Sequence, residues 1–356
     1  MDFANLQFTG NSHILLLTDA APAAPSHRCY IFPMHHPRLI PALLLLAAFP
    51  AAAQSDPGLT AQLQSEIQGF RGKVALYARD LANDKTISID ADLPVPTASV
   101  IKLGILYTAL QEIRAGHAHF DDRLMLHHED QVPGSGVLLF LDTPHTLTLK
   151  DALTLMIAVS DNTATNLVID DLGLDTIDAQ LTAPPPRGLA LKNTWLYKKV
   201  YEDPTGPQPA DQPQFGLGKT TPREMTSIME RLATCNLGPA PLTARAADST
   251  STTIPSDKDL CAAAIHMLKV QSDHDMIPRY LEKLDTTEGD SAIANKTGAI
   301  DHARNDVAAV YTKRGTILIS AFTHDNADTS WTPDNPALIL IGKMAETIVN
   351  AWSPGT

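Results

Sequence analysis

The spacing of apolar residues changes character four times along this chain. Leu59–Phe70, "LTAQLQSEIQGF", places them three and four apart, as a helix does. "KVALYARDL" and "TISIDAD" then read as two strands on either side of the turn "ANDK", which predicts a hairpin. Helical spacing returns at "PTASVIKLGILYTAL" (Pro96–Leu110) and dominates from Asp122 to about Thr287. This stretch holds "LTLKDALTLMIAVSDNTATNLVIDDLG", "TTPREMTSIMERLAT" and "DKDLCAAAIHMLKVQ"; Pro222 and Glu224 suit the first turn of the second. Strand patterns, each β-branched or alternating, return in "SAIANKTGAI", "RNDVAAVYTK" and "TILISAFTH", before a closing apolar helix, "NPALILIGKMAETIVNAW". Strands of like character about 190 residues apart predict one antiparallel sheet, built from both chain ends and flanked by helices. An all-helical subdomain is inserted between them, so the class is α+β. The α/β part is expected over 54–99 and 288–356, and the all-α part over 100–287. No internal repeat is visible.

One apolar stretch stands outside this scheme. From Met34 the chain reads "MHHPRLIPALLLLAAFPAAAQSDPG": a basic start at Arg38, an apolar run, then Ala51-Ala52-Ala53. That order predicts a signal peptide over 34–53, cleaved after Ala53, with a buried helix as the alternative. Residues 1–33 then form an unused or non-native N-terminal extension. The run is short for a bilayer, and no later segment is long and apolar enough to span one. The mature chain, 54–356, is therefore expected to be secreted or periplasmic.

Composition narrows the partners. Hydrophobic residues make up 44% and charged residues 19%, which fits a packed core. A formal charge of −13 disfavours nucleic acid and anionic membranes, leaving a small molecule as the expected partner of a monomer. Cys29 would leave with the leader. Cys235 and Cys261 remain, either as a disulfide in an oxidising compartment or as two buried thiols. The histidines show no zinc spacing, and no phosphate loop or dinucleotide fingerprint occurs, so neither metal nor cofactor is expected.

Three short motifs carry the chemistry. Ser99-x-x-Lys102 opens a helix, where i+3 spacing puts amine and hydroxyl on one face. A desolvated lysine can then take the serine's proton; taken alone, Ser99 reads more readily as a helix cap. Ser160-Asp161-Asn162 interrupts an apolar helical pattern and marks a break between two helices. It is either a plain turn or an edge presenting a hydroxyl and an amide. Lys296-Thr297-Gly298 lies on a strand, with a glycine where backbone approaches closely. The lysine either supplies charge to a ligand or discourages strand pairing at an edge. "PGSGVL" (Pro133–Leu138) reads as a flexible turn.

In this order and context the motifs resemble those of the active-site serine penicillin-recognising family, class A β-lactamases most of all. The resemblance extends from about Leu59 to the C-terminus and includes Asn166 in "SDNTATNLVIDDLG". It implies a β-lactamase/transpeptidase-like fold. It also implies that Ser99 is acylated, that Lys102 is its base or proton relay, and that Ser160 passes a proton to the β-lactam nitrogen. Asn162 would bind the acylamido side chain; Lys296, Thr297 and Arg304 would hold the substrate carboxylate. The N–H groups of Ser99 and Ala299 would form the oxyanion hole. The substrate is then a β-lactam or a peptidoglycan-like acyl-D-amino acid.

The chain departs from the family at the step that frees the acyl group. The family's Glu-x-x-Leu-Asn is missing from "LKNTWLYKKVYEDPTGPQPADQPQFGLGKTTPREM", where spacing puts the expected glutamate close to Leu196. Glu202 and Asp203, in "YEDP", are the nearest carboxylates, and Glu202 is the candidate for activating water. Three functions follow from the resemblance: a β-lactamase, a D-Ala-D-Ala peptidase or other amide or ester hydrolase, and a penicillin-binding protein that deacylates very slowly.

Overall fold

The computed structural model describes residues 54–205, 208–239, 254–285 and 291–356. The extension expected at 1–33, the leader at 34–53 and its cleavage after Ala53 lie outside the described residues.

Local chemistry starts and stops the elements in chain order. β1 (Gln54–Ser55) runs into α1 (Pro57–Ile67), whose first turn has a proline and whose Leu59 N–H donates to the Asp56 carboxylate. β2 (Lys73–Asp80) and β3 (Lys85–Ile89) form the expected hairpin. After β4 (Val95–Pro96), one 3₁₀ turn (Ala98–Ile101) feeds α2 (Lys102–Arg114). β5 (Arg123–Leu126) pairs with β6 (His145–Thr148). Thr148 and Asp151 then form a capping box that opens α3 (Leu149–Ala158). α4 (Asn162–Leu172) and α5 (Leu174–Thr182) follow. β7 (Trp195–Leu196), the one-turn α6 (Gln212–Phe215) and β8 (Gly218–Thr220) lead to α7 (Pro222–Ala233), capped by Thr221. A second capping box, Ser256 with Asp259, opens α8 (Asp257–Lys269). The chain closes through β9 (Ile293–Ile300), β10 (Ala303–Thr312), β11 (Gly315–His324) and α9 (Pro336–Trp352).

The principal sheet has the order β1-β3-β2-β11-β10-β9, so the two chain ends do meet, at β2 and β11. Two details differ from the expectation. The sheet is mixed rather than antiparallel throughout, because the two-residue β1 runs parallel to β3. The stretch expected to be all-helical also carries the β5–β6 pair and strands β7 and β8, which join β4 in a small sheet. These strands have only two to four residues, too few to show a period of two.

Both faces of the central strands are buried. On one, Ala75, Leu318 and Phe322 share a core with apolar residues of α2, α3, α4, α7 and α8. On the other, Leu76, Ala78 and Ile319 meet α1 and Leu338, Ile341, Met344 and Ile348 of α9. Near-continuous apolar runs in these strands follow from burial on two sides. Cys235, just beyond α7, is bonded to Cys261 of α8. Closing that loop contributes about 3 kcal/mol by limiting the unfolded chain. No helix among the described residues is long and apolar enough to cross a membrane.

Candidate active site

Ser99 sits in the 3₁₀ turn, and neither this turn nor α2 has a side-chain cap. The hydroxyl is thus not spent on the helix terminus. The turn is held from outside: Asn305 on β10 donates its amide to the Pro96 and Thr97 carbonyls, at 2.9 and 3.2 Å. Ala98 has a left-handed φ of 44°, a conformation costly for a residue with a Cβ. From the other side β9 presses close. A Cβ on Gly298 would lie 2.8 Å from the Ser99 and Val100 nitrogens, so only glycine lets this strand reach the turn. The approach brings the backbone of Ala299 beside Ser99, on the rim of one cavity.

Ser160 connects the three motifs. α3 ends at Ala158, Ser160 takes a φ of +53°, and the Asp161 carboxylate caps α4 through Ala164 N–H at 2.8 Å. That break presents Ser160 Oγ to two lysines. Lys102 Nζ lies 3.1 Å from it and Lys296 Nζ 3.2 Å. Lys102 also donates to Ser160 O at 2.8 Å and Asn162 Oδ1 at 3.1 Å; Lys296 donates to Thr297 O at 2.7 Å. Asn162 Nδ2 donates to the Pro133 carbonyl, which fixes the orientation of its amide.

Both lysines are 0% exposed. Desolvation, reinforced by the charge of Lys296 and only partly opposed by Asp161, holds the Lys102 amine well below the ordinary lysine range. Desolvation also lowers Lys296, to about 8, against the pull of Asp273 and Asp306. Ser160 O, Ser160 Oγ and Asn162 Oδ1 all accept from Lys102, and Ser160 Oγ accepts from Lys296 as well. Ser160 thus joins the two amines in one hydrogen-bonded chain, and the desolvated Lys102 is the amine driven furthest toward its neutral form.

These groups border a cavity of about 770 Å³, with Ser99, Ser160, Asn162, Thr297, Gly298 and Ala299 on its wall. The "PGSGVL" stretch, read as a flexible turn, is pinned there. Asp161 Oδ2 accepts the N–H groups of Val137 and Leu138 at 2.6 and 2.9 Å, and Ser135 O accepts from Asn162 N at 3.0 Å. Gly134 and Ser135 join the wall as a result.

Two expected residues stand elsewhere. Arg304 is 2% exposed and is not on the cavity wall. Its guanidinium donates to the Ile300, Ala303 and Ser330 carbonyls and stacks 4.5 Å from the Trp331 ring. These bonds commit it to joining the β9–β10 turn to Trp331, which does line the cavity, rather than to holding a carboxylate. Glu202 is also off the wall, ion-paired to Lys199 at 2.9 Å; Lys199 bonds Asp170 as well. The register of its loop is set by Asn166, whose amide accepts from Val200 N at 2.8 Å and donates to Val200 O at 3.0 Å. Val200 and Tyr201 therefore stand on the wall.

Sequence reasoning missed the bracing by Asn305, the Asp161 clamp and the wall position of Asp273. A buried asparagine in an otherwise apolar strand, "RNDVAAV", was the available signal for the first.

A sequence model described as "Beta-lactamase enzyme family" matches residues 58–352. Among solved structures, a β-lactamase from Sphaerobacter thermophilus DSM 20745 is similar, with a TM-score of 0.66 and 26% identity, covering 83% of this chain and 97% of that one. PBP-A, solved as a point mutant in an acyl-enzyme complex with penicillin G, is similar in fold at a TM-score of 0.65 and 20% identity. That match covers 85% of this chain and 99% of PBP-A. A curated β-lactamase from Streptomyces lavendulae is 28% identical over 127 residues, 35% of this chain, and the match spans only 41% of that protein's length.

Proposed function

The chain belongs to the β-lactamase enzyme family, and we propose that it is a serine hydrolase of that type, acylated at Ser99 and slow to lose its acyl group. Neutral Lys102 takes the Ser99 proton as Oγ attacks the β-lactam carbonyl. The oxyanion rests on the N–H groups of Ser99 and Ala299, donors typically worth about 3 kcal/mol each. As the C–N bond breaks, Ser160 gives its proton to the leaving nitrogen and recovers one from Lys102, which closes the proton balance. Asn162 holds the acylamido group, and Lys296 with Thr297 holds the carboxylate. Arg304 acts only behind the wall.

The observation that carries slow deacylation is the Asn166–Val200 pairing, which keeps Val200 and Tyr201 on the wall while Glu202 stays with Lys199. An ester on Ser99 then has no positioned carboxylate from this loop to activate water, a loss of about 10²–10⁴ in rate. A point mutant of PBP-A, a protein of similar fold, was captured as a penicillin G acyl-enzyme, which supports acylation here. The runner-up is an efficient β-lactamase in which Glu202 swings in.

Mixing purified protein with a chromogenic cephalosporin distinguishes the two. The expected result is about one equivalent of product in a burst, a slow steady phase, and a mass adduct on Ser99 that Ser99→Ala abolishes. Rapid turnover that Glu202→Gln removes would favour the runner-up. No adduct, with Ser99-dependent cleavage of an acyl-D-alanyl-D-alanine peptide, would favour a peptidase. Export through the leader belongs to the same reading, and N-terminal sequencing of the exported protein is expected to start at Gln54.

A further inference from the structure

The loop after β7 carries two adjacent lysines with different surroundings. Lys199 is held between Asp170 and Glu202, each at 2.9 Å. Lys198 lines the cavity instead, half-buried, and forms no ion pair among the described residues. Its neighbours on that wall are Val200, Tyr201 and Leu217, all without charge. In a chain with a formal charge of −13, a cation on the cleft wall with no ion pair among the described residues is available to an anionic group of a ligand.

The opposite wall indicates which part of a substrate meets it. Thr297 with Lys296 behind it, together with Asp273, stands on the β9 side of Ser99, the side assigned to the leaving portion. Asn162, assigned to the acylamido group, lies one turn before Asn166 on α4, and Asn166 bonds Val200, so the acyl portion bonded to Ser99 extends toward Val200, Tyr201 and Lys198. From this placement, and resting on the acylation of Ser99 proposed above, we infer that Lys198 selects acyl donors whose side chain carries a carboxylate. Val200, Tyr201 and Leu217 cover the apolar body of that side chain, and the Lys198 ammonium meets its charge. Lys199 and Glu202 satisfy each other and do not compete.

The test compares phenylacetyl penicillin with its α-carboxylated counterpart, which differs only by that carboxylate. Acylation of Ser99 is followed by mass spectrometry at low salt. Lys198→Met is expected to slow acylation by the carboxylated compound about five-fold, the upper range for a partly solvated ion pair. The neutral compound should change less than two-fold, Lys198→Arg should keep the preference, and added salt should erode it. Equal slowing of both compounds, or no change in either, overturns the inference. A Ser99→Ala background separates it from the acylation reading, because equilibrium binding of the same pair then reports Lys198 without covalent chemistry. Loss of selectivity there on adding Lys198→Met supports the inference even if no adduct ever forms. Unchanged selectivity there overturns it.

Discussion

A lysine buried beside another lysine must give up charge, and Lys102 and Lys296 divide the task. Acylation needs Lys102 neutral and Lys296 charged, so the rate should rise as Lys102 deprotonates and fall above pH about 8 as Lys296 does. Replacing Lys296 by arginine, which does not titrate in this range, should remove the alkaline fall while weakening substrate binding. A pH profile of acylation checks this, and an unmoved alkaline limb would assign the fall to another group. Gly298 gives a steric prediction at the same scale. Gly298→Ala should cut acylation at least about ten-fold by pushing β9 off Ser99, with the helical secondary structure retained by circular dichroism. The gathering of Ser99, Ser160, Asn162 and Thr297 at one cleft, with Lys102 and Lys296 behind it, was legible from the three motifs. Arg304 misled because a strand position beside the site says nothing of where its donors go; three carbonyls take them.

Among the elements, loops were the least legible. Strand-like apolar runs marked β2, β3, β9, β10 and β11, and the helical spacing marked α2, α3, α4, α7, α8 and α9, since each is long enough to carry a pattern. The Val200–Tyr201 loop has no period, and its register is set by Asn166, more than thirty residues earlier in the chain. Counting from the Ser-Asp-Asn serine therefore could not say which side chain reaches the cleft. Asn166→Ala removes two hydrogen bonds to a partly buried backbone and should cost about 1–3 kcal/mol in urea unfolding. It should also release the loop, so that the lifetime of the Ser99 adduct changes. An unaltered lifetime would mean that the loop does not govern deacylation. The "PGSGVL" turn has the same lesson. Its glycines suggested looseness, yet Gly136 is where a Cβ would collide with Asp161 at 2.3 Å, so the glycine is there for contact.

For the whole molecule, two buried carboxyls set how stability depends on pH. Burial raises Asp178, which accepts the Leu196 N–H, to about 7, and raises Asp306, bonded by Asn295 and Ile277 N–H, to about 7. Between about pH 4 and 7 the native state thus holds protons on these two groups that the unfolded chain has released, so their contribution to stability falls as pH rises through that window, while the depressed Lys102 contributes with the opposite sign. The test is therefore a difference: Asp178→Asn should shift the pH dependence of the thermal midpoint between pH 5 and 7.5 toward a smaller fall or a steeper rise. An unchanged pH dependence in Asp178→Asn would contradict the assignment. The α+β class was legible at this scale because strands at both ends of 54–356 could only be satisfied by one another. The parallel β1 was not, since two residues carry no pattern.

The pairing of β2 with β11 also has a consequence in time. The turn bearing Ser99 is made first, and Gly298, Ala299 and Asn305, which shape and brace it, come from strands made roughly 200 residues later. At typical elongation rates, roughly ten to forty seconds separate the two. Throughout that interval the proposed nucleophile lacks the Ala299 N–H proposed to face it, and a chain cut short before β9 is expected to carry Ser99 yet form no adduct. Chemical competence is therefore expected to wait until β9 and β10 have paired into the sheet.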